Sequence, residues 1–104
     1  AATPSTAVSV SNGEAYLAGT NGDRFVIRPG IKARIGRALD NEIVVTDASV
    51  SRHHAAIESV NGAYRLRDLE SQNGTYVGGA RISEASLRNG DAVRIGDAVF
   101  TFHA

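Results

Sequence analysis

Three short stretches of this 104-residue chain gather polar side chains at spacings that could do chemistry. They are Ile35-Gly36-Arg37, then Ser49-Val50-Ser51-Arg52-His53-His54, then Glu70-Ser71-Gln72-Asn73-Gly74-Thr75. Ser51 with His54 three residues on could pair a hydroxyl nucleophile with a base. A serine hydrolase also needs an oriented base, an oxyanion hole and usually a distinctive nucleophile turn, and no Gly-x-Ser-x-Gly occurs here. Nothing in the sequence sets Asp47 or Asp68 behind a histidine, so no catalytic residue is assigned. Zinc wants three or four ligands, and His53, His54 and His103 lack the helical or hairpin spacing that would gather them. The adjacent histidines read instead as one buried, hydrogen-bonded ring and one exposed ring, and no metal ligand or cofactor is assigned. What guanidinium groups do well is hold an oxyanion by paired hydrogen bonds.

The elements that must position these stretches are strands. Asn-Gly occurs five times, at 12–13, 21–22, 61–62, 73–74 and 89–90, and tolerates the positive φ that two-residue hairpin turns of the primed types require. Between these turns apolar residues alternate with period two: Phe25 and Ile27, Ala55 and Ile57, Tyr64 and Leu66, Val93 and Ile95, Phe100 and Phe102. That is the pattern of strands with one buried and one wetted face, on which Arg65, Arg67 and Arg94 read as solvated. No segment of twelve or more residues holds a helical stripe between caps, and the best helical prospect, residues 83–87, amounts to one turn. Short strands at roughly ten-residue spacing predict an all-β sandwich. All three polar stretches fall in connections between strands, which cluster at the ends of a sandwich and can converge at one of them.

Length and charge bound the rest. The chain is long enough for one domain. It has no apolar run near the roughly 20 residues of a membrane-spanning helix and no secretory signal pattern. It has no cysteine, hence no disulfide and no thiolate metal site, which fits a cytoplasmic setting. Eleven basic residues balance eleven acidic ones, so the bulk field recruits neither nucleic acid nor anionic membrane, and anion recognition must be local. Ten of the eleven basic residues are arginine, which with the abundant alanine suggests a GC-rich bacterial source. Residues 1–13 look like a flexible linker and residues 14–104 carry the fold. The chain begins at Ala1, as expected of an excised or processed piece of a larger protein.

Gly36-Arg37, then Ser51-x-x-His54 fourteen residues on, then Asn73-Gly74 about nineteen further closely resemble the forkhead-associated (FHA) domain. The resemblance runs from about Ala15 to Phe102 and includes the closing Leu87-x-Asn89-Gly90-Asp91-x-Val93-x-Ile95-Gly96. It implies an antiparallel sandwich of about eleven strands that binds phosphothreonine peptides with loops at one end, and no catalysis. Carried over residue by residue, Arg37 would give guanidinium donors to the phosphate, and Ser51 its hydroxyl and its backbone N–H. Arg52 would be a further donor to phosphate or peptide. Asn73 would hydrogen-bond the peptide main chain beside the phosphothreonine. Gly36 would let the backbone pass closely, His54 would pin the loop carrying Ser51, and Gly74 would supply a positive-φ turn.

Two positions depart from the family pattern. Gln72 stands where many members have threonine before the asparagine, and either its amide or the Ser71 hydroxyl could serve the phosphate instead. Ser49 stands where some members use arginine to select an acidic residue three positions after the phosphothreonine, so a different preference is expected there. A phosphothreonine brings about −1.5 to −2 charges and three acceptor oxygens, and an unphosphorylated threonine would leave such donors unpaired. The implied role is a reader of Ser/Thr kinase output within a larger protein, with no nucleic-acid partner and no membrane insertion. The alternatives are a phosphorylation-independent protein-binding sandwich, a Ser51–His54 hydrolase, and occupation of the pocket by a phosphorylated Thr3 or Thr6 in cis or from a neighbouring copy.

Overall fold

The computed structural model describes residues 15–104, so the linker expected over 1–13 and the threonines at 3 and 6 lie outside the described residues. Eleven strands run along them and no helix: β1 (Ala15–Gly19), β2 (Arg24–Ile27), β3 (Ala33–Gly36), β4 (Ile43–Val44), β5 (Ala55–Val60), β6 (Ala63–Asp68), β7 (Thr75–Val77), β8 (Ala80–Ile82), β9 (Glu84–Leu87), β10 (Ala92–Ile95) and β11 (Ala98–His103). They form a five-stranded sheet in the order β9-β6-β5-β3-β4 and a six-stranded sheet in the order β2-β1-β11-β10-β7-β8. Every pairing is antiparallel except β3 with β4, where Ile35 faces Ile43.

The alternation read from the sequence sets the register. Leu17, Ile27, Val93, Ile95 and Phe102 of one sheet meet Ile35, Ile57 and Leu66 of the other in a single core, all fully buried. Burying such a branched or aromatic side chain is worth about 1.5–3 kcal/mol. The one-turn helix expected at residues 83–87 is instead strand β9, whose Leu87 turns inward opposite Tyr64 while Glu84 and Ser86 face out. Its period is two, and a pairing partner far away in the chain decides its conformation.

The Asn-Gly turns also sort themselves. Only Asn61-Gly62 has both residues at positive φ (53° and 82°), closing the β5–β6 hairpin as a primed two-residue turn. At 21–22, 73–74 and 89–90 glycine alone is left-handed, because those connections are longer and only one residue needs the unusual conformation. The pair at 12–13 lies outside the described residues.

The loops after β1, β3, β4, β6 and β10 gather at one end, the rim. Cross-sheet bonds tie them there: Gly96 N–H to Gly74 O (3.1 Å), and Asp97 N–H to Ser49 Oγ (2.8 Å). The start of β1 and the end of β11 pair at the other end, Tyr16 opposite His103.

Candidate functional site

The rim is built around the backbone of residues 49–54. Strand β3 ends at Gly36, and Arg37 follows with its N–H on Ser51 O (3.0 Å) and its Nε on Val50 O (2.7 Å). The guanidinium is thereby oriented, and its two terminal nitrogens carry no carboxylate partner among the described residues. Ala38 N–H and Asn41 Nδ2 both reach Arg52 O, at 3.2 and 2.8 Å. Gly36 makes this approach possible: a Cβ there would sit 2.1 Å from that same Arg52 oxygen. The β3–β4 loop is also clamped from its other side. Arg34 binds the Asp40 carbonyl and, through its N–H and guanidinium, the Glu42 carboxylate. These bonds, the side-chain bond from Arg34 foremost, hold the Glu42 carboxyl down to about 2.

His54 is fully buried and joins three loops. Its Nδ1 accepts the Ser51 N–H (3.0 Å), so the ring proton sits on Nε2 and is donated to Gly74 O (2.8 Å). Its own N–H reaches Ile35 O at 2.8 Å. The Ser51 amide expected to face a ligand is therefore engaged internally, and only the hydroxyl is left for one. Ser51 Oγ accepts the Gln72 N–H at 3.1 Å, which leaves its O–H free to donate outward. No Ser51 hydroxyl to imidazole bond exists, so the nucleophile–base pair a hydrolase needs is not formed. The histidines do not converge either. His53 pairs with Asp40 on the surface (3.1 Å), and His103 stacks on Tyr16 at the far end of the other sheet.

Asn73 is exposed and donates Nδ2 to Ser49 O (2.7 Å). The Gln72 and Arg52 side chains are exposed beside it. Ser71 differs from the sequence expectation: it is buried, its hydroxyl donates to Asp68 Oδ1, and it accepts the Gly74 N–H (3.0 Å). It braces the turn from beneath. Burial pushes the Asp68 carboxyl up, but the Ser71 and Thr75 hydroxyls and the Ser71 N–H outweigh it and hold it below the usual aspartate range. Gly74, at φ +91°, sits under Arg81 of β8, whose Nε would lie 2.9 Å from a Cβ there.

Sequence reasoning passed over Asn41, Leu39 and Arg81. Asn41 bridges two carbonyls from a buried position, Leu39 stands 87% exposed at the tip of the Arg37 loop, and Arg81 covers Gly74. None has a local signature, since each role depends on a partner distant in the chain or on a loop shape.

A cleft of about 400 Å³ opens on the other side of the β4–β5 loop, lined by Asp23, Asp47 and Asp97 over Phe25, Val44 and Phe100. Its carboxylates repel an anion. The rim around Arg37 and Ser51 offers guanidinium, hydroxyl and amide donors, and the Asp40 and Glu42 carboxylates of the Arg37 loop are taken up by His53 and Arg34, which suits a phosphate.

Comparison with known proteins agrees with this geometry. The family model for the FHA domain matches residues 33–96. The chain is 48% identical over 69 residues to the ABC transporter ATP-binding/permease protein Rv1747 of Mycobacterium tuberculosis, and 50% identical over 70 residues to the transcriptional regulatory protein EmbR of Mycobacterium bovis. Each alignment takes in 66% of this chain but only 8% and 18% of the respective relatives. Among solved structures, an FHA domain studied for phosphothreonine-dependent interactions superposes with a TM-score of 0.83 at 31% identity, covering 88% of this chain and 96% of that one. Mycobacterium tuberculosis EmbR in complex with a low-affinity phosphopeptide superposes at 0.82 and 38% identity, over 92% of this chain and 28% of that one. Fold, motif order and family model coincide: the chain belongs to the FHA domain family.

Proposed function

We propose that this domain binds phosphothreonine-containing segments of proteins after a Ser/Thr kinase has modified them, as one module of a larger polypeptide in the cytoplasm. Residues 14–104 form the binding domain, residues 1–13 join it to its neighbour, and no reaction is catalysed. One observation carries this reading: Arg37 is fixed by its Nε and main-chain N–H beside Ser51, leaving its terminal nitrogens and the Ser51 O–H without a partner among the described residues, at the same rim.

The phosphate oxygens take up the two Arg37 nitrogens and the Ser51 hydroxyl, with Arg52 and the Gln72 amide completing the shell. Asn73 keeps its Oδ1 for a peptide N–H, holding the ligand extended. Gly36, His54, Gly74 and Ser71 carry the loops. Each hydrogen bond to the charged phosphate is worth about 1.5–3 kcal/mol, so losing the two from Arg37 weakens binding by about 100-fold or more. Calorimetric titration of a phosphothreonine peptide library against wild type and Arg37→Ala tests this. Equal binding of phosphorylated and unphosphorylated peptides overturns it. Labelling of Ser51 by a fluorophosphonate probe would instead mark an activated nucleophile, and no labelling is expected.

A further inference from the structure

The two outer faces of the sandwich carry opposite electrostatic designs. On the five-stranded sheet every outward arginine has a glutamate: Arg34 with Glu42 (3.2 Å), Arg65 with Glu84 (3.1 Å) and Arg67 with Glu58 (3.9 Å). The six strands of the other sheet contain no Asp or Glu at all. Their outward positions hold Arg24, Arg81 and Arg94, with His103, Tyr16 and Tyr76 between them. Arg24 lies over the Tyr16 ring at 4.4 Å and Arg94 over Tyr76 at 4.0 Å. A guanidinium held over an aromatic ring still has N–H donors to offer a carboxylate. Asp97, 80% exposed in a turn, pairs with Arg94 at 4.0 Å, while Arg24 and Arg81 form no ion pair among the described residues. Val26 and Val99, each 44% exposed, add apolar surface among the cations.

We propose that this face is a second docking surface, which takes an acidic, unphosphorylated segment of a partner protein. It does not rest on the phosphothreonine reading, because Arg24, Arg94, Tyr16 and His103 lie apart from the Arg37–Ser51 rim, although Arg81 and Tyr76 also pack over Gly74. The partner's chemistry follows from charge complementarity: three cations, of which only Arg94 has a carboxylate partner among the described residues, call for carboxylates, and the tyrosines and valines between them call for a protein rather than a bare polyanion. Strands lie about 4.8 Å apart, so an extended tract of about eight residues crosses all six, from Arg24 on one edge strand to Arg81 on the other. A net charge of zero over the whole chain argues against nucleic acid as the occupant.

The test is an NMR titration of the full 104-residue chain with an unphosphorylated peptide of alternating Glu and apolar residues. The expected result is saturable shifts confined to the six strands of this sheet, β1, β2, β7, β8, β10 and β11, weakened about tenfold or more in the Arg24→Glu, Arg94→Glu double variant and by high salt. The same variant keeps its phosphothreonine-peptide affinity, which separates this surface from the rim. Arg24→Gln with Arg94→Gln repeats the measurement should charge reversal perturb folding. Shifts centred on Arg37 and Ser51, binding indifferent to the arginine substitutions, no saturable binding, or tighter binding of a single-stranded oligonucleotide each overturn the proposal.

Discussion

The two ends of the sandwich are made by different means. At the far end the hairpins close on themselves: Asn61-Gly62 joins Val60 to Ala63, and Gly78-Gly79 joins Val77 to Ala80, both with two residues at positive φ. Their shape is contained in their own dipeptides. At the rim, the loops over residues 37–42, 45–54 and 69–74 have no such regular geometry. They are shaped by bonds from one loop to another, through Asn41, His54, Ser51 and Asn73. A far-end turn thus takes its shape locally, even where Gly78 N–H also reaches Ala92 O (2.9 Å), whereas a rim loop is only as well placed as its neighbours. That coupling lets three loops present one surface, and it makes the rim vulnerable as a whole.

Substitutions can break this contrast. The largest effect is expected from Gly36→Ala, whose methyl group would occupy the space of the Arg52 carbonyl. Overpacking against rigid backbone costs about 3 kcal/mol here, and phosphopeptide affinity falls with it, because the same carbonyl anchors Ala38 and Asn41. Urea unfolding together with calorimetry reads both quantities, and a variant as stable as wild type would refute the close approach.

Ser71→Ala is expected to cost about 2 kcal/mol, since it strands the Gly74 N–H and removes a hydroxyl from Asp68. It also sharpens a pH prediction. With its carboxyl lowered in the folded state, Asp68 stabilises the fold above the unfolded aspartate value of about 3.9, and that contribution is lost as pH falls through the lower folded value. Wild type therefore loses stability on acidification below about pH 4, and Ser71→Ala shows a shallower loss over the same range. Identical acid profiles would mean that the Ser71 bonds do not govern this carboxyl.

Smallest is Gly62→Ala at the far end, about 1 kcal/mol for a side chain forced to positive φ. Thermal unfolding should register it while peptide affinity stays unchanged. A drop in affinity there would mean that the two ends are coupled after all.

The same division explains what could be read from the chain. The strands were legible because period-two alternation needs no partner to be seen, as in Tyr64-x-Leu66 or Phe100-x-Phe102. Strand β9 was not, since Glu84-Ala85-Ser86-Leu87 carries too little pattern and takes its conformation from pairing with β6. The parallel pairing of β4 was equally invisible in two residues. At the rim, the set of Gly36, Arg37, Ser51, His54, Asn73 and Gly74 was recognisable by its order and spacing. What each atom does there was not. That Ser51 gives its N–H to a histidine, or that Ser71 points inward to Asp68 while Gln72 points out, depends on how loops meet in space.

The pairing of Tyr16 with His103 sets how the domain can be mounted. Ala15 and Ala104 therefore both stand at the end opposite the rim. A six-residue strand such as β11 spans about 20 Å. A ligand segment attached at Ala15 or Ala104 must therefore reach about 20 Å back along the sandwich to meet the rim. Reach, measured in tether length, thus separates self-recognition from recognition of others.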